Sequence, residues 1–89
     1  MNEVVEVRHA GGHRLFLRFA DGAEGILDLA GRLRFDGVFA PLRDPAGFAG
    51  VLLNAELGTV AWPGGADLCP DVLRGWLAEA GADPVRAVV

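Results

Sequence analysis

Eighty-nine residues, with twelve acidic side chains against eight basic ones that are all arginine, give a formal charge of -4 and leave room for one domain with a single modest core. That balance repels a phosphate backbone, and the arginines cluster no more tightly than the spaced pair Arg32 and Arg34, so direct nucleic-acid binding is not expected. The single cysteine cannot form an internal disulfide, no basic-then-apolar leader opens the chain, and no apolar run approaches the roughly 20 residues a bilayer demands; the expectation is a cytoplasmic protein with no membrane span.

Glu3 to Ala10 alternate as a half-buried strand does, with Val5 and Val7 on one side and Val4, Glu6 and Arg8 on the other. Gly11-Gly12 turns the chain, and His13 to Phe19 then alternate more cleanly: Leu15, Leu17 and Phe19 face one way, Arg14, Phe16 and Arg18 the other. The Asp21-Gly22 pair inside Ala20-Asp21-Gly22-Ala23 predicts a tight hairpin with positive φ at both central residues. Glu24 to Leu29 returns antiparallel, which brings Glu24 and Asp28 near Arg18 and Arg14 on a solvated face. Exposed cross-strand pairs of that kind contribute only about 0.2–1 kcal/mol each.

Asp28 to Leu33 predicts a short helix or 3₁₀ turn, limited by Gly31 and Gly37. Val38, Phe39, Leu42, Phe48 and Val51 come from a stretch rich in turn residues and read as a lid packed onto the core. Two short strands, Val51 to Asn54 and Gly58 to Trp62, make a second hairpin that Pro63 ends. Pro70 suits a first helical position, where its missing N–H has no intrahelical partner anyway. From there Val72, Leu73, Trp76, Leu77 and Ala80 share one face, so the main helix runs from Pro70 to about Ala80, with Gly81 as a left-handed terminus. Val85 to Val89 either fray or add a last edge strand, and no internal repeat is visible. The whole of residues 1–89 therefore reads as one α+β domain: a small antiparallel or mixed sheet, built from an N-terminal three-stranded meander plus a second short hairpin, packed against one main C-terminal helix and a short helical turn.

Few side chains suggest chemistry. Cys69, just ahead of the helix, would feel the positive end of its dipole, but no base is near in sequence, and a buried, inert thiol is the favoured reading. His9 and His13 face each other across the first turn, yet two imidazoles are too few for a specific metal site, and both read as exposed hairpin residues. Asp67 and Asp71 flank the helix start, where Asp67 can cap first-turn N–H groups and Asp71 can complement the dipole. Gly64-Gly65 lacks the spacing and the lysine of a phosphate cradle and carries acids where an anion would bind. Trp62 and Trp76 can stack in the core or anchor an interface; Trp76 has the stronger core pattern and Trp62 stays open. No catalytic residue, cofactor site or metal site is assigned. The candidate interaction or structural motif is Asp21, Gly22, Phe39, Trp62, Pro63, Gly65, Asp67 and Pro70.

Three stretches carry a resemblance: Leu15-Phe16-Leu17-Arg18-Phe19-Ala20-Asp21-Gly22, the Gly37 to Asp44 segment with Phe48, and Gly58 to Leu73 with its Trp62-Pro63-Gly64-Gly65-Ala66-Asp67-Leu68-Cys69-Pro70 run. In that order they resemble the bacterial family catalogued as domain of unknown function 2442, over about residues 3 to 77. The resemblance implies a small α+β domain with a helix after the Trp-Pro turn, and no established activity. It also implies a gene often encoded beside another small uncharacterised protein, with toxin–antitoxin or regulatory roles suggested. Some members add a helix-turn-helix, which a chain of this length is not expected to hold.

With 52% hydrophobic residues in so short an acidic chain, the leading expectation is a non-enzymatic protein-interaction module that serves as the antitoxin-like or regulatory half of a two-gene pair. Its partner would be a protein, such as a neighbouring gene's product, or a second copy through a sheet edge or the lid around Phe39 and Phe48. The alternative is a small-molecule or anion-sensing domain with a pocket under Gly64-Gly65 and Arg14 or Arg18 nearby.

Overall fold

Arg14–Phe19 forms the central strand of the fold, β2, in a computed structural model that describes residues 2–79. It lies between β1 (Val4–His9) and β3 (Glu24–Asp28), antiparallel to both. The alternation of β2 holds: Leu15, Leu17 and Phe19 are buried, while Arg14 and Arg18 are exposed. The three-stranded meander, the second hairpin, the short helical turn and the C-terminal helix all appear as one α+β fold.

β1 departs from simple alternation. Val4 pairs with Phe19 and Glu6 with Arg18, so Val5 is an extra residue in a β-bulge. The bulge returns Val4 and Val7 to the same inner face, where both pack on the core, and leaves Val5 40% exposed. The expected partnership of Val5 with Val7 is thus corrected by a one-residue insertion, which shifts every side chain before it to the opposite face.

The hairpin after β2 is also of a different type. Gly22 N–H donates to Phe19 O at 3.0 Å and Phe19 N–H to Ala23 O at 2.8 Å, leaving a three-residue loop in which Gly22 alone has positive φ, at 92°. That is a type I turn closed by a glycine bulge, and Asp21 stays right-handed because its carboxylate accepts from Ala23 N–H at 3.0 Å. No helix forms at residues 28–33. Asp28 Oδ1 accepts from Ala30 N–H, and Leu29 O accepts from Arg32 and Leu33 N–H, making one closed turn. The 3₁₀ helix comes later, at Gly37–Arg43, followed by the single turn of α1 (Pro45–Phe48), whose Asp44 cap accepts from Ala46 N–H.

β4 (Leu52–Asn54) and β5 (Thr59–Ala61) make the second hairpin, which packs beside β1, with Val4 N–H donating to Gly58 O at 2.8 Å. α2 (Pro70–Glu79) packs on β3 and buries Leu73 and Leu77. The core joins the inner face of the first sheet to these two helical residues, to Leu42 and Phe48 of the lid, and to Val60, Trp62 and Ala66. The expected helix end at Ala80, the Gly81 terminus and any strand at Val85 to Val89 lie outside the described residues. Among the described residues, no helix is long and apolar enough to cross a membrane.

Candidate functional site: the Trp-Pro turn, the lid and the acidic sheet edge

The Trp62-Pro63-Gly64-Gly65-Ala66 segment repeats, bond for bond, the turn that follows β2. Gly65 N–H donates to Trp62 O at 3.0 Å, Trp62 N–H donates to Ala66 O at 2.9 Å, and Gly65 has φ 97°. In both turns a buried aromatic residue, Phe19 or Trp62, opens the loop and a buried alanine, Ala23 or Ala66, closes it. Proline fits at Pro63 because the first turn position wants φ near −65° and needs no N–H. This recurrence of geometry has only a faint sequence trace, an aromatic residue three positions before a glycine that alanine follows.

Trp62 is 4% exposed, stands 5.4 Å from Phe48 between ring centroids, and donates from Nε1 to Phe48 O at 2.8 Å. It ties the turn to the lid. Trp76 is only half-buried against the core and lies under the Arg32 guanidinium at 5.4 Å, so the core place expected for Trp76 is taken only in part, Trp62, left open by the sequence, is the fully packed one, and the two do not stack together. The physical reason is that the inner stripe of α2 is centred on Leu73 and Leu77, which leaves Trp76 at its margin.

After the turn, Ala61 and Asp67 form an isolated bridge and Leu68 N–H reaches Val60 O, so residues 66–68 run back alongside β5 without extending its two-stranded sheet. Thr59, buried, donates from Oγ1 to Leu68 O at 2.6 Å and secures it. Asp67 is exposed there and does not make the expected helix cap; the bridge directs it to solvent, and Cys69 O accepts the first intrahelical bond, from Leu73 N–H. Pro70 begins the helix as expected. Asp71 sits in its first turn and accepts from Asn2 Nδ2 at 3.2 Å. Cys69 is exposed rather than buried, because it lies on the outer side of the loop that leads into Pro70.

The lid is held from below by His13. Its ring stands 5.0 Å from Phe48 and 4.8 Å from Phe35, and Nε2 lies 2.9 Å from both Leu42 O and Arg43 O. Both partners are acceptors, so Nε2 carries the proton. His13 is therefore a packed latch and not the exposed hairpin residue expected. His9 is exposed, bonds Gly12 O and edges Phe48 at 6.0 Å. Phe39 is half-buried against the core from the 3₁₀ helix, beside an exposed Val38. Among the described residues, no group of three or more metal-ligating side chains comes together.

Asp21 links the first turn to the helix: besides its bond from Ala23 N–H, its Oδ2 lies 3.2 Å from Arg74 Nε. The Ala23 hydrogen bond holds its carboxyl below the ordinary aspartate value, desolvation pushes the other way, and the Arg74 guanidinium adds to the lowering.

On the outer face of the first sheet, Arg14 stands opposite Asp28 and Arg18 opposite Glu24, as the alternation implies. Yet the ion pair of Arg18 is with Glu6, at 2.6 Å, and Glu6 also holds Arg8 at 3.0 Å, whose guanidinium covers Phe16 at 4.6 Å. Among the described residues, Glu24 and Asp28 are left in no ion pair, flanking Ile26, which is 53% exposed. Sequence reasoning missed this triplet as a site; its signal was the acid-x-apolar-x-acid spacing on the solvated side of a strand. A cavity of about 270 Å³ opens elsewhere, lined by Glu3, Glu56, Ala55, Leu57 and Pro70. Its carboxylates disfavour an anion, and it does not lie under Gly64-Gly65.

Comparison with curated proteins and with solved structures gives no match. The family model described as "Protein of unknown function (DUF2442)" matches residues 4–79, a span that takes in every strand and helix from β1 to α2. On that match the chain belongs to the DUF2442 family.

Proposed function

We propose that this chain is a non-enzymatic, cytoplasmic protein-interaction module, the antitoxin-like or regulatory half of a two-gene pair. The observation that carries the reading is the outer side of β3, where an exposed isoleucine stands between two carboxylates with no ion-pair partner among the described residues. Such an arrangement sets an apolar centre between two negative charges, a pattern that a partner with complementary groups at alternate positions can meet. The residues of the Trp-Pro turn support the same division of labour. Trp62, Pro63, Gly65 and Pro70 set the path of the chain from β5 into α2, so they serve the scaffold, while Glu24, Ile26 and Asp28 face outward from it.

The net charge of -4 favours a basic partner, by faster encounter and by rejection of acidic competitors. Co-expression of the full chain, tagged, with the product of the adjacent gene tests the reading. Co-purification in a fixed stoichiometry that survives gel filtration supports it. Separate elution of two folded proteins overturns it.

A further inference from the structure

We infer that the outer edge of β3 receives an extended, basic segment of a partner protein as an added strand, with basic side chains flanking an apolar one at alternate positions. The inference rests on the interaction reading above and gives that partner a chemistry and a docking site.

The hydrogen-bond phase of the sheet defines the edge. Phe19 N–H to Ala23 O and Leu29 N–H to His13 O mark bonded pairs at the two ends of the β2–β3 ladder. Antiparallel pairing alternates, so Leu17 with Gly25 and Leu15 with Leu27 are also bonded pairs, and the intervening Glu24, Ile26 and Asp28 aim their N–H and C=O groups away from β2. The opposite edge of the sheet is met by the second hairpin, through Val4 N–H to Gly58 O. Among the described residues no strand pairs with the β3 edge.

Side-chain chemistry selects the occupant. Glu24, Ile26 and Asp28 repeat every second residue on one face, about 7 Å apart. Glu6 holds Arg18 toward β1, which leaves the carboxylate of Glu24 unneutralised, and Asp28 bonds only the neighbouring Ala30 N–H. A second copy is disfavoured: antiparallel pairing about Ile26 sets Glu24 against Asp28, and parallel pairing sets each acid beside itself. An incoming strand with arginine or lysine beside each acid and an aliphatic residue beside Ile26 meets both charges and covers the apolar centre.

The test is titration of the isotope-labelled full chain with the heptapeptide Thr-Arg-Thr-Ile-Thr-Arg-Thr, and with its counterpart carrying Glu for Arg, followed by amide shifts and exchange. The expected result is perturbation and slowed exchange at the amides of Glu24, Ile26 and Asp28, with Gly25 and Leu27, already bonded to β2, little changed, and no such effect from the acidic peptide. Ile26→Pro removes an outward N–H and leaves the ladder to β2 intact, so it should weaken the peptide at least about tenfold in a folded sheet. Glu24→Gln with Asp28→Asn, which keeps the acceptor for Ala30, should weaken it about fivefold. Equal binding of the acidic peptide, shifts confined to another surface, or full protection of the three amides in the free chain overturns the inference. If the peptide fails while the co-expressed complex forms, the edge assignment falls and the interaction reading stands. If no complex forms, the interaction reading falls by its own experiment.

Discussion

Replacing Trp62 by phenylalanine separates scaffold from surface. The indole is 4% exposed, packed on Phe48, and its Nε1–H bonds Phe48 O. The smaller ring leaves an unfilled volume in a core that relaxes only in part, a cost of about 1–2 kcal/mol. The lost hydrogen bond adds about 1 kcal/mol, a net value rather than a full desolvation penalty, because Val51 N–H still reaches the same carbonyl at 3.2 Å. Trp62→Phe is thus expected to cost about 2–3 kcal/mol, a large share of the roughly 4–13 kcal/mol that stabilises a chain of this size. In thermal unfolding the shift should be about 10–20 °C downward, with the urea m-value unchanged. Trp76→Phe, at the margin of the helix stripe, should cost under about 1 kcal/mol. Each variant keeps one tryptophan, so fluorescence reports the other: emission should be blue-shifted and shielded from acrylamide when Trp62 remains. Equal losses in the two variants, or a greater loss for Trp76→Phe, would refute the assignment of Trp62 as the tie between turn and lid.

Four further outcomes follow from the turns and from the segment that Thr59 secures. Gly22→Ala and Gly65→Ala have open space around the added methyl but positive φ, so each should cost about 1 kcal/mol net in urea unfolding, after allowance for the stiffer unfolded chain, and the costs should add. Gly64→Ala lacks the positive φ and should be neutral or stabilising by up to about 1 kcal/mol, which a shared penalty at Gly64 and Gly65 would contradict. Asp21 has a folded pKa below its unfolded value, so its contribution is present above the ordinary aspartate range and is lost as pH falls through the depressed value. Asp21→Asn should therefore differ from the native chain in stability at neutral pH and converge with it in acid; a difference independent of pH would contradict that. Thr59→Val removes the bond to Leu68 O and should cost about 1 kcal/mol by the same unfolding measurement.

The architecture was legible where pattern and geometry share a period. β2 alternates without interruption, and Pro70 followed by Leu73 and Leu77 specifies where α2 begins and which face it buries. The features that escaped are those set by a single inserted residue or by a tertiary neighbour. Three valines at positions 4, 5 and 7 fit two registers, and only the pairing with Phe19 and Arg18 shows that Val5 is the bulge. Asp-Gly is compatible with both the two-residue and the three-residue turn, and the Ala23 N–H bond to Asp21 decides between them. Trp62 gave no periodic signal because it ends a strand, so its burial depends on Phe48, fourteen residues away. His13 likewise becomes a latch only because the 3₁₀ helix brings Leu42 O and Arg43 O to it. That no described strand pairs with the β3 edge depends on strand order and bond phase, neither of which a local pattern encodes.

Amide hydrogen exchange of the free chain, residue by residue along β3, tests the central claim that this edge is presented for another strand. The account predicts a two-residue rhythm: Gly25 and Leu27 protected by β2, with Glu24, Ile26 and Asp28 exchanging nearly as fast as in an unfolded peptide. Uniform protection across Glu24 to Asp28 would contradict it, because the edge would then already be occupied.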